Sequence, residues 1–281
     1  MGKRICTFLT LLFVGVFFFC PQSVKLGVAE TLSRTENPYQ WERLASYTTY
    51  YSVKDGGRCE NIAIAASLVD GVTLQPYGEF SFNATVGERT AEAGFQQAKI
   101  IVGGEYVLGV GGGVCQVSTT LYNAVLKAGL AVTEYHPHSL QVGYVPPSRD
   151  AMVSTHSDLK IYNPNAHAVH WNVKVFEGGL RVTVYGKNEG YRYELVSRFL
   201  GEIPPPLPIV KTGEEEGVIR EEKAGAKSEL YVERYKGATL LERKRVRVDE
   251  YRPIQGIIVK KVGDTTNKIP SNACLFLRKM L

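Results

Sequence analysis

Gly109-Val110-Gly111-Gly112-Gly113-Val114-Cys115-Gln116-Val117-Ser118-Thr119-Thr120 runs straight into an apolar-periodic segment that ends at Ala128. Glycines reach positive φ and admit close neighbours, so such a run brings the chain into a helix along a path that side-chained residues resist. Val117, Leu121, Ala124, Val125 and Ala128 recur at helical spacing and Gly129 supplies a stop, which predicts a helix with Cys115 at its start and one apolar stripe turned to a core. At a helix N-terminus the free N–H groups and the macrodipole favour negative charge and lower a thiol pKa. Cys115 reads as a reactive thiol on that argument, and equally as a small buried hydrophobe, because cysteine is among the most buried residue types. The usual phosphate loops fit poorly: no Lys follows the glycines as a P-loop needs, and Val114 stands where a dinucleotide fingerprint places a small residue.

Upstream, Lys3 and Arg4 precede an uncharged apolar run from Ile5 to Cys20, and Gly27-Val28-Ala29 offers the small residues a signal peptidase reads. Residues 1–29 are therefore an export signal cut after Ala29 or, alternatively, an uncleaved N-terminal membrane anchor. Phe19 is too large to precede a lipidated Cys20. Beyond the signal, Cys59, Cys115 and Cys274 allow one disulfide and leave one thiol. The net charge of +5 includes Lys3, Arg4 and Lys25 of the signal and gives no argument for nucleic acid.

The remaining chain divides by pattern. Residues 30–190 make the main domain. Tyr47 to Ser52 alternates as a strand, and Asn61 is a candidate cap for a helix carrying Ile62, Ala65, Ala66 and Val69. Glu79-Phe80-Ser81-Phe82-Asn83 reads as a strand with both Phe on one face, as do 99–102, 159–162, 169–176 and 180–185, with Gly178-Gly179 as a hairpin turn. Two main helices followed by an antiparallel sheet give an α+β class. Residues 191–202 read as a linker, Ile203-Pro204-Pro205-Pro206-Leu207-Pro208 as a stiff boundary, 203–263 as a small all-β module and 264–281 as a tail. Arg243, Arg245 and Arg247 fall on one side of a strand, a solvated face rather than a polyanion site.

The stretch from about Tyr47 to Tyr185 strongly resembles the VanW family. The likeness rests on Arg58 and Asn61-Ile62, on Gly78-Glu79-Phe80-Ser81-Phe82-Asn83, on Val86-Gly87-Glu88-Arg89-Thr90, on Gly111 to Asn123, on His136-Pro137-His138-Ser139 and on Asp150-Ala151. Tyr77 stands directly after Pro76 where the family usually has Gly, and Ser148 stands where Gly is common. The tail from about Tyr191 to Gly263 looks like the small all-β modules named for five glycines, although only Gly213, Gly217, Gly225 and Gly237 punctuate it. The resemblance implies an exported protein of the cell envelope in the setting of peptidoglycan and vancomycin resistance; it implies no reaction.

Three functional readings follow. In the first, Cys115 is the nucleophile of an acyl-transfer enzyme or amide hydrolase on peptidoglycan, with His138 as general base, His136 as its competitor, and Asp150 or Glu134 as the orienting acid. The Cys115 N–H and the Gln116 side chain are candidate oxyanion donors. Arg149 is a candidate carboxylate clamp, and Gly111, Gly112, Gly113 and Ser118 join Gln116 and Arg149 as candidate substrate-binding residues. In the second, the protein binds or scaffolds the wall without catalysis. The third, a metal held by His136 and His138 with Cys115 or His156, ranks last because no tight ligand spacing is present. No cofactor is expected.

Overall fold

The computed structural model describes residues 41–261, so the export signal, the tail and Cys274 lie outside the described residues. The described elements run β1 (Glu42–Tyr50), α1 (Gly56–Val69), β2 (Thr73–Leu74), β3 (Glu79–Ser81), α2 (Phe82–Val86), β4 (Gln97–Val102), β5 (Glu105–Val110), α3 (Val114–Lys127), β6 (Ala131–Glu134), β7 (Lys160–Tyr162), β8 (Val169–Phe176), β9 (Gly179–Gly186), β10 (Tyr191–Ile203), β11 (Ile209–Gly213), β12 (Gly217–Arg220), β13 (Gly225–Lys236), β14 (Thr239–Tyr251) and β15 (Ile257–Lys261). This is a mixed α+β architecture in which sheet dominates.

An antiparallel sheet of order β1-β9-β8-β2 carries α1 and α3 on one face. Between them lie Ile62, Tyr122, Leu121, Trp171 and Leu180, all nearly inaccessible to solvent. Trp171 donates its indole N–H to the Val69 carbonyl at 2.9 Å and meets Phe80 edge-on at 5.1 Å, which satisfies its polar atom inside the core. A second antiparallel sheet, β3-β7-β6, closes one side, and the hairpin β4-β5 delivers the chain to the glycines before α3. No described helix is long and apolar enough to cross a membrane.

Several local expectations change. Helix α1 starts at Gly56, capped by Asp55 through the Arg58 N–H, because Asn61 is buried and spends its side chain on Gln96 and the Gly112 carbonyl. Phe82 opens α2 rather than extending β3, since the Ser81 hydroxyl caps that helix at the Ala84 N–H. Tyr77 and Ser148, the two places where the resemblance led one to look for Gly, have φ of 58° and 59°. Tyr77 occupies the third position of a turn closed by Gly78 N–H to the Gln75 carbonyl at 3.1 Å, where positive φ favours Gly.

The stretch expected as a linker is a strand. Residues 191–203 form β10, paired with β13 along its length, and the prolines at 204–206 and 208 join β10 to β11 within one arrangement of two small sheets, β10-β13-β14 and β11-β15-β12. All described residues fall in one compact unit. Lys127 of α3 pairs with Glu194 of β10 at 2.9 Å, and Gly129 lies against the Tyr193 ring.

A Cβ on Gly112 would stand 2.7 Å from the Lys99 carbonyl oxygen and 2.8 Å from the Ala98 carbonyl carbon, both backbone atoms that cannot swing aside. Gly112→Ala should therefore lower the unfolding free energy by about 1–3 kcal/mol, the usual cost of overpacking. Gly143→Ala, with nothing within 4 Å, should change it by less than about 0.5 kcal/mol. Urea titrations of the two variants check the contrast.

Candidate functional site

Gly113, whose φ of 111° is left-handed, caps the N-terminus of α3, and Cys115 sits in its first turn, half-buried. The expected apolar stripe is too narrow a description: Gln116, Ser118, Thr119, Thr120 and Asn123 are all fully buried. Their hydrogen bonds explain why. On one side, Gln116 accepts from Arg58 at 2.6 Å and donates to the Thr49 hydroxyl and the Tyr50 carbonyl, both at 3.0 Å, while Thr120 meets Thr49 at 2.8 Å. On the other, the helix grips residues 149–153. Asn123 donates to the Arg149 carbonyl at 2.7 Å, Ser118 donates to the Ala151 carbonyl at 2.6 Å, and Thr119 accepts the Ala151 N–H at 2.9 Å. The Cys115 sulfur contacts the Val153 carbonyl at 3.4 Å and N–H at 3.5 Å.

The gripped segment carries Asp150. Its Oδ2 accepts both the backbone N–H and the ring Nδ1 of His138, each at 2.7 Å, with Asp150 1% and His138 5% exposed. Nδ1 being committed to the carboxylate, Nε2 is the ring nitrogen left for the thiol, and the His138 ring lies beside Cys115. Burial works against ionisation of Cys115, yet hydrogen bonding and charge from His138, the Val153 N–H and the nearby Arg89 outweigh it, so the thiol sits below its ordinary value. Burial likewise opposes charge on His138, but Asp150 and Cys115 raise its pKa to about 9. Asp150, against burial, is held below the usual carboxylate range by His138 and Arg247. Cys115 and His138 thus each favour the charged form of the other. Arg89 packs its Cβ 3.1 Å from where a Gly111 Cβ would be and donates to Asn83 at 2.5 Å.

Other candidates are elsewhere. His136 turns to Glu134 at 3.1 Å, and Glu134 is occupied by His136, Lys160 and the Asp158 N–H, which push its pKa down to about 2. Neither His136 nor Glu134 joins the cluster. Both amide hydrogens of Gln116 are taken, so its side chain has no donor left for an oxyanion. Arg149 is committed to the Leu195 carbonyl and lies 6.0 Å from the Tyr47 ring centre, which leaves the carboxylate-clamp reading without support. Gly112 and Gly113 are buried against β4 and α1, so they shape packing rather than a groove; Gly111 alone of the three is half-buried. Ser118 is spent on backbone carbonyls. Among the described residues Cys59 and Cys115 are both free thiols, and no three His, Cys, Asp or Glu side chains converge as a metal would require.

The residues missed by sequence reasoning are on β14. Arg247, placed with Arg243 and Arg245 on a solvated face, is fully buried: it donates to the Asp150 carbonyl and to Asp249, each at 2.6 Å, with its guanidinium 4.4 Å from the Tyr135 ring centre and 5.6 Å from that of Tyr122. Tyr251 donates to Asp150 Oδ1 at 2.5 Å. Strand pairing explains the difference. Leu230 faces Arg247 but Tyr231 faces Arg245, so β14 has a bulge at Val246 and the two arginines lie on opposite faces.

Residues 57–185 match the family profile described as VanW like protein. The uncharacterized protein YoaR of Bacillus subtilis (strain 168) is 40% identical over 148 residues, 52% of this chain and 49% of that one, so the chain spans about half the length of that curated relative. A solved chain titled "Crystal structure of HP0197-G5" aligns over 25% of this chain and 97% of its own at 15% identity with a TM-score of 0.15, which carries no argument about fold.

With Cys59 and Cys274 replaced by Ser, the pH profile of Cys115 alkylation in the folded chain should inflect below that of the same chain in denaturant, because the lowered thiol pKa keeps thiolate present at lower pH. His138→Ala should move the inflection up and slow labelling near pH 7, by about tenfold for every full pH step that the inflection climbs. His136→Ala should leave it in place.

Proposed function

Residues 57–185 being a domain of the VanW family, we propose that the protein is a cysteine-dependent acyl-transfer enzyme or amide hydrolase acting on peptidoglycan at the cell envelope. The observation that carries this reading is the buried Asp150 carboxylate that holds the His138 ring by Nδ1 at 2.7 Å, with Cys115 as the ring's other electrostatic partner. The envelope setting draws on the family resemblance and on the cationic and apolar run at residues 3–20.

The cycle balances with these groups alone. The Cys115 thiolate attacks a peptide carbonyl, forming an S–C bond, while imidazolium His138 gives its Nε2 proton to the departing amine as the C–N bond breaks. The thioester is then attacked by water, or by an acceptor amine. The nucleophile's proton returns to His138, the S–C bond breaks and the thiolate is restored. Asp150 keeps the proton of Nδ1 in place and stabilises the charged ring, as the third member of such constellations does. The Cys115 N–H at the helix start is the candidate donor to the developing oxyanion.

A second reading is favoured by one observation: the Val153 N–H and carbonyl both contact the sulfur, which is also how a structural thiol is seated. In that case the protein is a non-catalytic wall-binding or scaffolding protein.

Incubation of the folded protein with purified peptidoglycan stem peptides, followed by intact-mass spectrometry and amine-release assay, separates the two. The enzyme is expected to release new amino termini, to lose that activity by at least about a hundredfold in Cys115→Ala and His138→Ala, consistent with loss of the nucleophile or base, and to accumulate a thioester adduct on Cys115. Binding to the peptides with no turnover and an unreactive thiol would establish the scaffold.

A further inference from the structure

Asp150 has hydrogen-bond partners that the family match does not contain. The match ends at residue 185, whereas the groups that fill the remaining sites on Asp150 are Tyr251 and Arg247, at the end of β14. Tyr251 occupies Oδ1 and at the same time accepts the Ser148 N–H at 2.7 Å, so its hydroxyl fixes both the carboxylate and the backbone two residues before it. Arg247 reaches the Asp150 carbonyl and stands 3.7 Å from Oδ1. Further ties bind the same pieces: Ser148 and Ser228 hydroxyls meet at 2.7 Å, and the Arg252 N–H donates to the Ser139 carbonyl, next to His138, at 2.7 Å.

A regular strand would not achieve this. Without the bulge at Val246, Arg247 would share the exposed face of Arg243 and Arg245, whose side chains are 48% and 58% exposed, while Arg247 is at 0%. Bulges of this kind re-aim side chains beside active sites. From Arg247 onward the period of two puts Arg247, Asp249 and Tyr251 on one inward face. Asp249 neutralises the arginine, and Tyr122 and Tyr135 flank its plane, so the guanidinium is buried with its charge paired.

We propose that the C-terminal sheet completes the Cys115 site in cis, with Tyr251 and Arg247 of β14 as the positioning residues that hold Asp150 against His138. The inference rests on the acyl-transfer reading above. The groups that face the thiol and its partners are His138, Arg89, Tyr144, Asp150, Arg247 and Tyr251.

The test is the alkylation pH profile of Cys115 in the full chain, free of Cys59 and Cys274, for the parent and for Tyr251→Phe, Arg247→Lys, Asp150→Asn and, as a control on the opposite face, Arg245→Ala. Thermal melts are recorded alongside. Tyr251→Phe removes one oxygen and keeps the ring, so it is the variant suited to fold. Expected is a rise of the inflection in Tyr251→Phe and Asp150→Asn, with labelling near pH 7 slowed at least about threefold, a smaller rise in Arg247→Lys, and none in Arg245→Ala. A merely structural role would lower the melting temperature and leave the profile of the folded protein unmoved. If the parent and Asp150→Asn behave as the acyl-transfer reading requires while Tyr251→Phe keeps the parent profile, the inference is overturned and that reading stands. A parent thiol no more reactive than in denaturant overturns both.

Discussion

The structure depends on the match between one helix and one extended segment. Contacts at Cys115, Thr119 and Asn123 lie four residues apart along α3, and their partners Val153, Ala151 and Arg149 lie two apart along the chain that carries Asp150. Four residues of helix rise about 6 Å, and two residues of strand advance about 6.6 Å. The two repeats stay in step over the whole contact, so each helical side chain meets a backbone group it can satisfy. A polar helix face inside a core would be costly if unpaired. Here the pairing makes it a ruler that fixes where the segment carrying Asp150, and with it His138, lies along the helix that carries Cys115.

Much of this was legible in the sequence where local rules govern. The glycines before Cys115, the helix to Ala128 and the alternating strands 169–176 and 180–185 follow from period and turn chemistry, and they are found as α3, β8 and β9. The choice between the histidines was not legible. His136 and His138 share a face of an ideal extended segment, but Pro137 and the Met152 N–H to His136 carbonyl bond at 2.7 Å fix a local path on which only His138 turns inward. Gln116 and Ser118 looked like site residues because they are polar and near Cys115. Their buried hydrogen bonds show that polarity there served packing. Asn61 likewise had the residue type of a cap and the position of a core clamp.

Long-range effects account for the rest. A bulge depends on the register of two strands, which no window of single-strand sequence reveals, so Arg243, Arg245 and Arg247 looked equivalent. The same applies to residues 191–202. Their composition reads as a connector until β13, more than twenty residues later, supplies a partner for every ladder position but the bulge at Leu200. Tyr77 and Ser148 show the converse. Their positive φ is a local demand that Gly would meet at less cost, and here it is borne by side-chained residues whose surroundings hold them: Tyr77 through its N–H to Asn163, Ser148 through Tyr251 and Ser228.

The charges behind the thiol explain why ionisation is favoured in a half-buried place. Asp150 and Asp249 are balanced by Arg247 and by His138 in its protonated form, so the sealed side of the cluster is neutral once the thiol's proton has moved to the ring. A thiolate at Cys115 would be on the half-buried side, near Arg89 and at the positive end of α3. Were the proton to stay on sulfur, the two buried carboxylates would face a single cation, a less favourable arrangement in a low-dielectric interior. The partition of charge across the site thus favours the charged forms of Cys115 and His138, and the geometry behind it is shared between the helix that grips residues 149–153 and the strand that bulges at Val246 to bring Arg247 behind them.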